Sequence, residues 1–142
     1  MTIKAVLQTK GSEVESIGVA LLVRDAVALL AEKRIGAMPV IEAGEVKGIF
    51  SERDVIYGLA REGAALLDKT VGQVMVSPAI TVERDSPVMT ALSLMTRRRI
   101  RHLPVVDGGK AVGFVSIGDL VKFRIDKIEA EAAAMRDYIQ GV

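Results

Sequence analysis

An α/β module made of one unit written twice is the fold that three observations in the sequence predict. An offset of 65 positions aligns Val23, Ala26, Arg34, Ile35, Pro39, Val40, Gly48, Ser51 and Asp54 with Val88, Ala91, Arg99, Ile100, Pro104, Val105, Gly113, Ser116 and Asp119 without a gap. Each copy carries two short apolar runs joined by turn residues. A stretch of helical spacing precedes each such pair, and another follows it. The predicted order is β-α-β-β-α in each copy, with helices covering a small sheet.

Upstream the offset becomes 68, matching Thr2–Leu7 to Thr70–Met75, so the first copy is expected to carry a loop three residues longer near Lys10 to Glu15. The expected units are residues 2–69, residues 70–125 and a C-terminal helical extension over 126–142. Ser16 and Thr81 enter the first core strand of each unit. A helix is predicted from Val23 to Arg34; its counterpart opens at Asp85-Ser86-Pro87, a cap residue before a proline suited to the first turn.

Met38-Pro39-Val40-Ile41 and Leu103-Pro104-Val105-Val106 read as strands, with proline at a strand start or edge. Glu42-Ala43-Gly44-Glu45 and Asp107-Gly108-Gly109-Lys110 are turns leading into strands over Val46–Phe50 and Ala111–Val115. From Asp119 to Tyr138 there is no glycine or proline, and Val121, Ile125, Ile128, Ala132, Met135 and Ile139 alternate four and three apart. That seam is either a face packed on the chain's own core or a dimer contact.

Composition narrows the function. The chain has 142 residues, half of them hydrophobic, and a formal net charge of +1, so any anion site is local. With no cysteine there is no disulfide, thiolate nucleophile or common structural zinc site, and a reducing cytoplasm is the expected compartment. The densest apolar run, Val19 to Val23, is far short of the ~18 residues a spanning helix needs, so neither a membrane span nor a secretion signal is expected. His102 is the only histidine, and neither a catalytic triad nor a metal-ligand set is expected around it. Arg97, Arg98, Arg99 and Arg101 complement a helix C-terminus, and the near-neutral charge and lack of nearby aromatics argue against nucleic acid.

Chemistry concentrates where each second hairpin strand meets a helix. Ser51 with Asp54, and Ser116 with Asp119, have the spacing of a capping box. The same corner gathers a hydroxyl, helix N-terminal N–H groups and a carboxylate able to accept bonds from two ribose hydroxyls, while the helix dipole favours a phosphate. Gly48 and Gly113, three residues earlier, mark a close approach of ligand or backbone.

Leu103-Pro104-Val105-Val106-Asp107 followed by Val112-Gly113-Phe114-Val115-Ser116-x-x-Asp119, with its twin in the first half, resembles the cystathionine-beta-synthase (CBS) domain, present as a tandem pair over roughly residues 2 to 125. The nearest resemblance is to small stand-alone bacterial CBS-pair proteins. It implies a pseudo-twofold module with two clefts for an adenosine-containing ligand: AMP, ADP, ATP, NAD or S-adenosylmethionine. Asp54 and Asp119 would hold ribose hydroxyls, and Ser51 and Ser116 would lie near ribose or phosphate. Adenine would lie against Met38-Pro39 and Leu103-Pro104, with Ser16 and Thr81 as further candidates. Arg53 serves the first cleft, where Gly36 and Ala37 carry no charge; in the second, Gly118 replaces that arginine while Arg101 and His102 precede the strand. Two sites of unequal affinity follow.

The implied protein is a non-enzymatic, cytoplasmic adenine-nucleotide sensor that needs no cofactor or membrane. It forms a homodimer through the helices flanking each sheet, extended by the C-terminal helix, and signals to a separate effector protein. The alternatives are a dimerisation module with vestigial clefts and an enzyme acting on bound NAD.

Overall fold

Both hairpins form where the sequence places them, and their registers repeat at the same offset. A computed structural model describes Met1 to Gly141. Strands β1 (Ala37–Glu42) and β2 (Glu45–Ser51) pair antiparallel from Ala37 opposite Ser51; β4 (His102–Asp107) and β5 (Lys110–Ser116) pair from His102 opposite Ser116. Register slips at Val40/Ile41 and again at Val105/Val106. At the tips, Ala43 and Gly44 have φ of 52° and 80°, and Gly108 and Gly109 have 57° and 82°. Two successive left-handed residues are what a two-residue hairpin turn matched to strand twist requires.

Strand β3 (Val82–Glu83) lies parallel to β4, and the sheet order is β1-β2-β5-β4-β3. Its counterpart in the first half is a single bridge, Ile17 to Val40, also parallel. The two hairpins pair at Glu45 opposite Lys110, where the Ala111 N–H donates to Gly44 O at 2.9 Å. Pro39 lies in edge strand β1, and Pro104 precedes the stretch of β4 that β3 covers, so neither removes a needed ladder donor.

Helices α2 (Val23–Lys33) and α5 (Val88–Arg98) end on Arg34 and Arg99, both left-handed at φ 53°. α5 begins one residue later than predicted. Pro87 is itself the N-cap, held extended by a bridge to Thr2, while the Val88 N–H donates to Met1 O at 3.2 Å.

Two helices were not predicted: α1 (Ile3–Lys10) and α4 (Val71–Val74), which open the two copies. Thr70 and Gln73 form a capping box on α4, with the Thr70 N–H donating to Gln73 Oε1 at 3.0 Å. The extra length of the first copy goes partly into helix, so Lys10 closes α1 instead of opening a loop.

Each leading helix completes the other half's core. Ile3, Val6 and Leu7 pack with Val88, Met95, Leu103 and Val115, while Val71 packs with Val23, Met38, Val40 and Phe50. The backbone repeats the exchange: the Ile3 N–H donates to Ser86 O and the Lys4 N–H to Arg84 O at 2.9 and 2.8 Å; the Val71 N–H donates to Leu21 O and the Gly72 N–H to Val19 O at 2.7 and 2.9 Å.

α3 (Glu52–Glu62) leads through a 3₁₀ turn (Gly63–Asp68) into α4. α6 (Ile117–Gln140) runs unbroken across the expected boundary at residue 126; Leu120 is buried in the second core, whereas the predicted seam is exposed from Val121 onward. The own-core reading of that seam therefore fails. Val142, the last residue of the expected extension, lies outside the described residues. No described helix is long and apolar enough to cross a membrane.

Chain ends normally tolerate change, but Ile3 is fully buried. Ile3→Ala is expected to cost about 2–5 kcal/mol in a urea titration. A loss below half a kcal/mol, at the level of a surface change, would contradict the exchanged core.

Candidate functional site

The strand-to-helix corners carry the capping geometry in full. Asp54 Oδ2 accepts the Ser51 N–H at 2.9 Å and the Ser51 hydroxyl at 3.1 Å. Asp119 Oδ2 accepts the Ser116 N–H at 2.8 Å, and the Asp119 N–H donates to Ser116 Oγ at 3.1 Å. Both carboxylates are thus fixed at the head of a helix, α3 in one half and α6 in the other. Oδ1 of Asp54 accepts no hydrogen bond among the described residues.

The halves diverge at the neighbouring strand edge. In the first, Ile49 exchanges two backbone hydrogen bonds with Val76, at 3.0 and 2.9 Å. At the equivalent Phe114, the carbonyl accepts from the Lys10 ammonium at 2.8 Å, and the same ammonium donates to Asp119 Oδ2 at 2.8 Å. The lengthened α1 therefore delivers a cation into the other half's corner.

These partners set the carboxylates' protonation in opposite directions. Burial raises Asp54 above the ordinary carboxylate value, against the lowering pull of the Ser51 bonds and the Arg53 charge. Burial pushes Asp119 up as well, but Lys10 and the Ser116 N–H outweigh it and hold the group low. His102 is lowered, first by burial and then by Arg101 and Lys10, with Asp119 and Glu52 opposing. Its neutral ring stacks on Phe114 at 5.5 Å between centroids and 12° between planes.

Two clefts run between the halves. The Asp54 cleft, about 250 Å³, takes Gly36, Ala37, Ile49, Ser51, Glu52 and Arg53 from the first half, and Val76, Ala79, Ile80, Ile100, Arg101 and His102 from the second. The Asp119 cleft, about 400 Å³, is lined by Lys10, Glu13, Glu15 and Arg34 from the first half and by Phe114 and Ser116 from the second, with His102 again on its wall. Arg101 thus joins Arg53 in the Asp54 cleft and does not line the Asp119 cleft, where its place in sequence had put it. It directly precedes β4 at the crossing of the halves, so its side chain faces the neighbouring repeat's corner.

The proline segments line neither cleft. Met38 and Leu103 are almost completely buried in the two cores, and Pro39 and Pro104 are buried beside them; the cleft walls are the residues just upstream, Gly36-Ala37 and Arg101-His102. Ser16 is exposed and Thr81 half-buried, and both lie outside the two linings.

Gly48 and Gly113 mark approaches of the chain itself. A Cβ on Gly48 would lie 2.6 Å from Val76 O, and one on Gly113 would lie 2.7 Å from a Leu7 methyl. In the basic cluster, the Arg99 carbonyl accepts from Arg53 Nη1 at 3.1 Å, which ties the cluster to the cleft. Glu52 and Lys10 are site residues that sequence reasoning missed. The signal for Lys10 was the difference in length between the copies; Glu52 had none, and the structure sets it against Gly36, where a Cβ would lie 2.6 Å from Glu52 Oε1. The described residues hold no group of three or more His, Asp or Glu side chains placed to share a metal ion.

A family model for the CBS domain matches residues 11–61 and again 71–126. The mitochondrial CBS domain-containing protein CBSX3 of Arabidopsis thaliana is 36% identical over 124 residues, covering 84% of this chain; the match spans 60% of that relative's length. Among solved structures, the CBS-domain containing protein ATU1752 from Agrobacterium tumefaciens aligns with a TM-score of 0.82 at 36% identity, over 87% of this chain and 92% of that one. The CBS domain protein PAE2072 from Pyrobaculum aerophilum, complexed with AMP, aligns with a TM-score of 0.73 at 30% identity, over 84% and 89%. The two matched segments contain both hairpins and both Ser-x-x-Asp corners, and the chain belongs to the CBS domain family, with two copies of the domain in tandem.

Proposed function

We propose that the chain is a non-catalytic regulatory module whose Asp54 cleft binds an adenosine-containing ligand of the AMP, ADP, ATP or NAD class. The observation that carries this reading is a half-buried carboxylate with an open oxygen, in a cleft that two arginines from different halves also line. The AMP complex of the Pyrobaculum relative supports it. Ribose hydroxyls would donate to Asp54, and the phosphate would face Arg53 and Arg101. Ile80 and Ile100 give an apolar wall for the base.

Such a ligand touches both halves at once, so it favours the arrangement of the halves it fits best, to the extent of its differential affinity. In this reading the module works in the cytoplasm as a homodimer, and a separate effector protein receives the signal. The Asp119 cleft plays a different part: Oδ2 of its carboxylate already holds the Lys10 ammonium, and a ligand there competes with that cation.

A ligand at a hundred times its dissociation constant adds about 2.7 kcal/mol, several degrees of melting temperature for a chain of this size. In a thermal-shift panel of AMP, ADP, ATP, NAD and S-adenosylmethionine, at least one is expected to raise the wild-type transition, with Asp54→Ala abolishing the shift and Asp119→Ala leaving most of it. No shift from any ligand, in protein free of co-purified nucleotide, would leave the interaction-module reading in its place.

Lys10→Met frees Asp119 and is expected to add a second binding event in calorimetry with that ligand. An isotherm identical to wild type would dismiss the competition. Because Asp54 is raised, it loses its charge at a higher pH than an ordinary carboxylate. Binding of adenosine, which has no phosphate to titrate, should therefore weaken as pH falls through that raised value; affinity constant down to the ordinary carboxylate range would remove Asp54 from the ribose.

A further inference from the structure

α6 is roughly 36 Å of helix at about 1.5 Å per residue, and only its beginning is packed. Leu120 is buried and Phe123 partly so, whereas Ile125, Ile128, Met135 and Ile139 are 48%, 47%, 59% and 66% exposed. With Val121 and Ala132 they form one stripe. In heptad terms, Ile125, Ala132 and Ile139 take the a positions, and Val121, Ile128 and Met135 the d positions.

The charges flanking the stripe decide what covers it. The g positions hold Arg124, Glu131 and the uncharged Tyr138; the e positions hold Lys122, Glu129 and Arg136. In a parallel, in-register pair each g residue faces the e residue of the next heptad across the seam. Arg124 then meets Glu129 and Glu131 meets Arg136, each contact occurring twice by symmetry. An antiparallel pair aligned to set a against d, with Ile125 opposite Met135 and Val121 opposite Ile139, brings e against e and g against g. Lys122 then faces Arg136, Glu129 faces its own copy, and Glu131 faces its own copy. Each facing pair of charges is attractive in the first arrangement and repulsive in the second.

The geometry points to a second copy of this chain, lying parallel and in register along α6, as the occupant of the stripe. A single a/d row edged by charged e and g residues is the narrow seam of a coiled coil, and the small Ala132 at its central a position lets two helices approach closely. This deepens the homodimer of the proposed function by fixing its axis along α6, and it sets the two Asp119 corners at the same end of the paired helices.

The chain has no cysteine of its own, so single replacements report directly. A disulfide requires Cβ atoms about 3.8 Å apart, which only facing positions reach. Under mild oxidation Val121→Cys and Ile139→Cys are each expected to form a covalent dimer alone, and their mixture no mixed dimer. Light scattering on the wild type is expected to give twice the 15.2 kDa chain mass. The paired change Glu129→Arg/Glu131→Arg is expected to raise the dimer dissociation constant about tenfold or more, and adding Arg124→Glu/Arg136→Glu to restore it. Cross-linking only in the mixture, cross-linking in neither variant, or a monomeric or larger wild-type mass overturns the parallel pair. The ligand panel on Asp54→Ala reads a different site, so either result stands apart from nucleotide binding.

Discussion

Everything in the molecule depends on the exchange of leading helices between the two halves. Neither half owns a closed core: Ile3 and Val6 seal the second, and Val71 seals the first. Fully burying each such aliphatic side chain stabilises by about 1.5–3 kcal/mol, so separating the halves opens both cores together. The hairpins touch just at their tips, around Glu45 and Lys110, and the sheet alone would hold the halves weakly. The clefts therefore lie along a junction fixed by hydrophobic burial, which gives a ligand bridging it a rigid frame to act on.

A small departure from symmetry separates the two clefts chemically. The longer first copy extends α1 to Lys10, and that ammonium occupies the carbonyl of Phe114 and the carboxylate of Asp119. The equivalent carbonyl at Ile49 is satisfied by the backbone of Val76, which leaves Asp54 with only its own serine. Burial alone would raise both carboxylates. The lysine reverses the direction for one of them.

The sequence made legible whatever rests on local chemistry. Proline-bearing strands, two-residue turns and Ser-x-x-Asp corners each impose geometry within a few residues, and each formed where expected. α1 and α4 were missed because short helices carry little periodic signal and draw their stability from tertiary packing, although the Thr70–Gln73 box was there to read. The placement of Arg101 was missed for another reason. Neighbourhood in sequence assigned it to its own repeat's corner, while the crossing of the halves turns it toward Asp54. Residues that lead into a hairpin at the crossing of the halves take their partners from topology, which periodicity and motif spacing do not encode.

Lys10 gives the Asp119 cleft a threshold. A ligand there competes with an ammonium that Phe114 O and Asp119 Oδ2 both hold, and its apparent affinity falls to the extent that the lysine has to leave first. The cation also sits near the N-terminus of α6, where the helix dipole disfavours positive charge, so Asp119 offsets a local cost as well as capping the helix. An anionic group entering that corner would replace an unfavourable charge with a favourable one. The contact that occupies this corner is thus weakest against the kind of ligand that helix N-termini attract. Because α6 continues from this corner to the exposed stripe, the capping residues at one end and the apolar face at the other belong to a single rigid element.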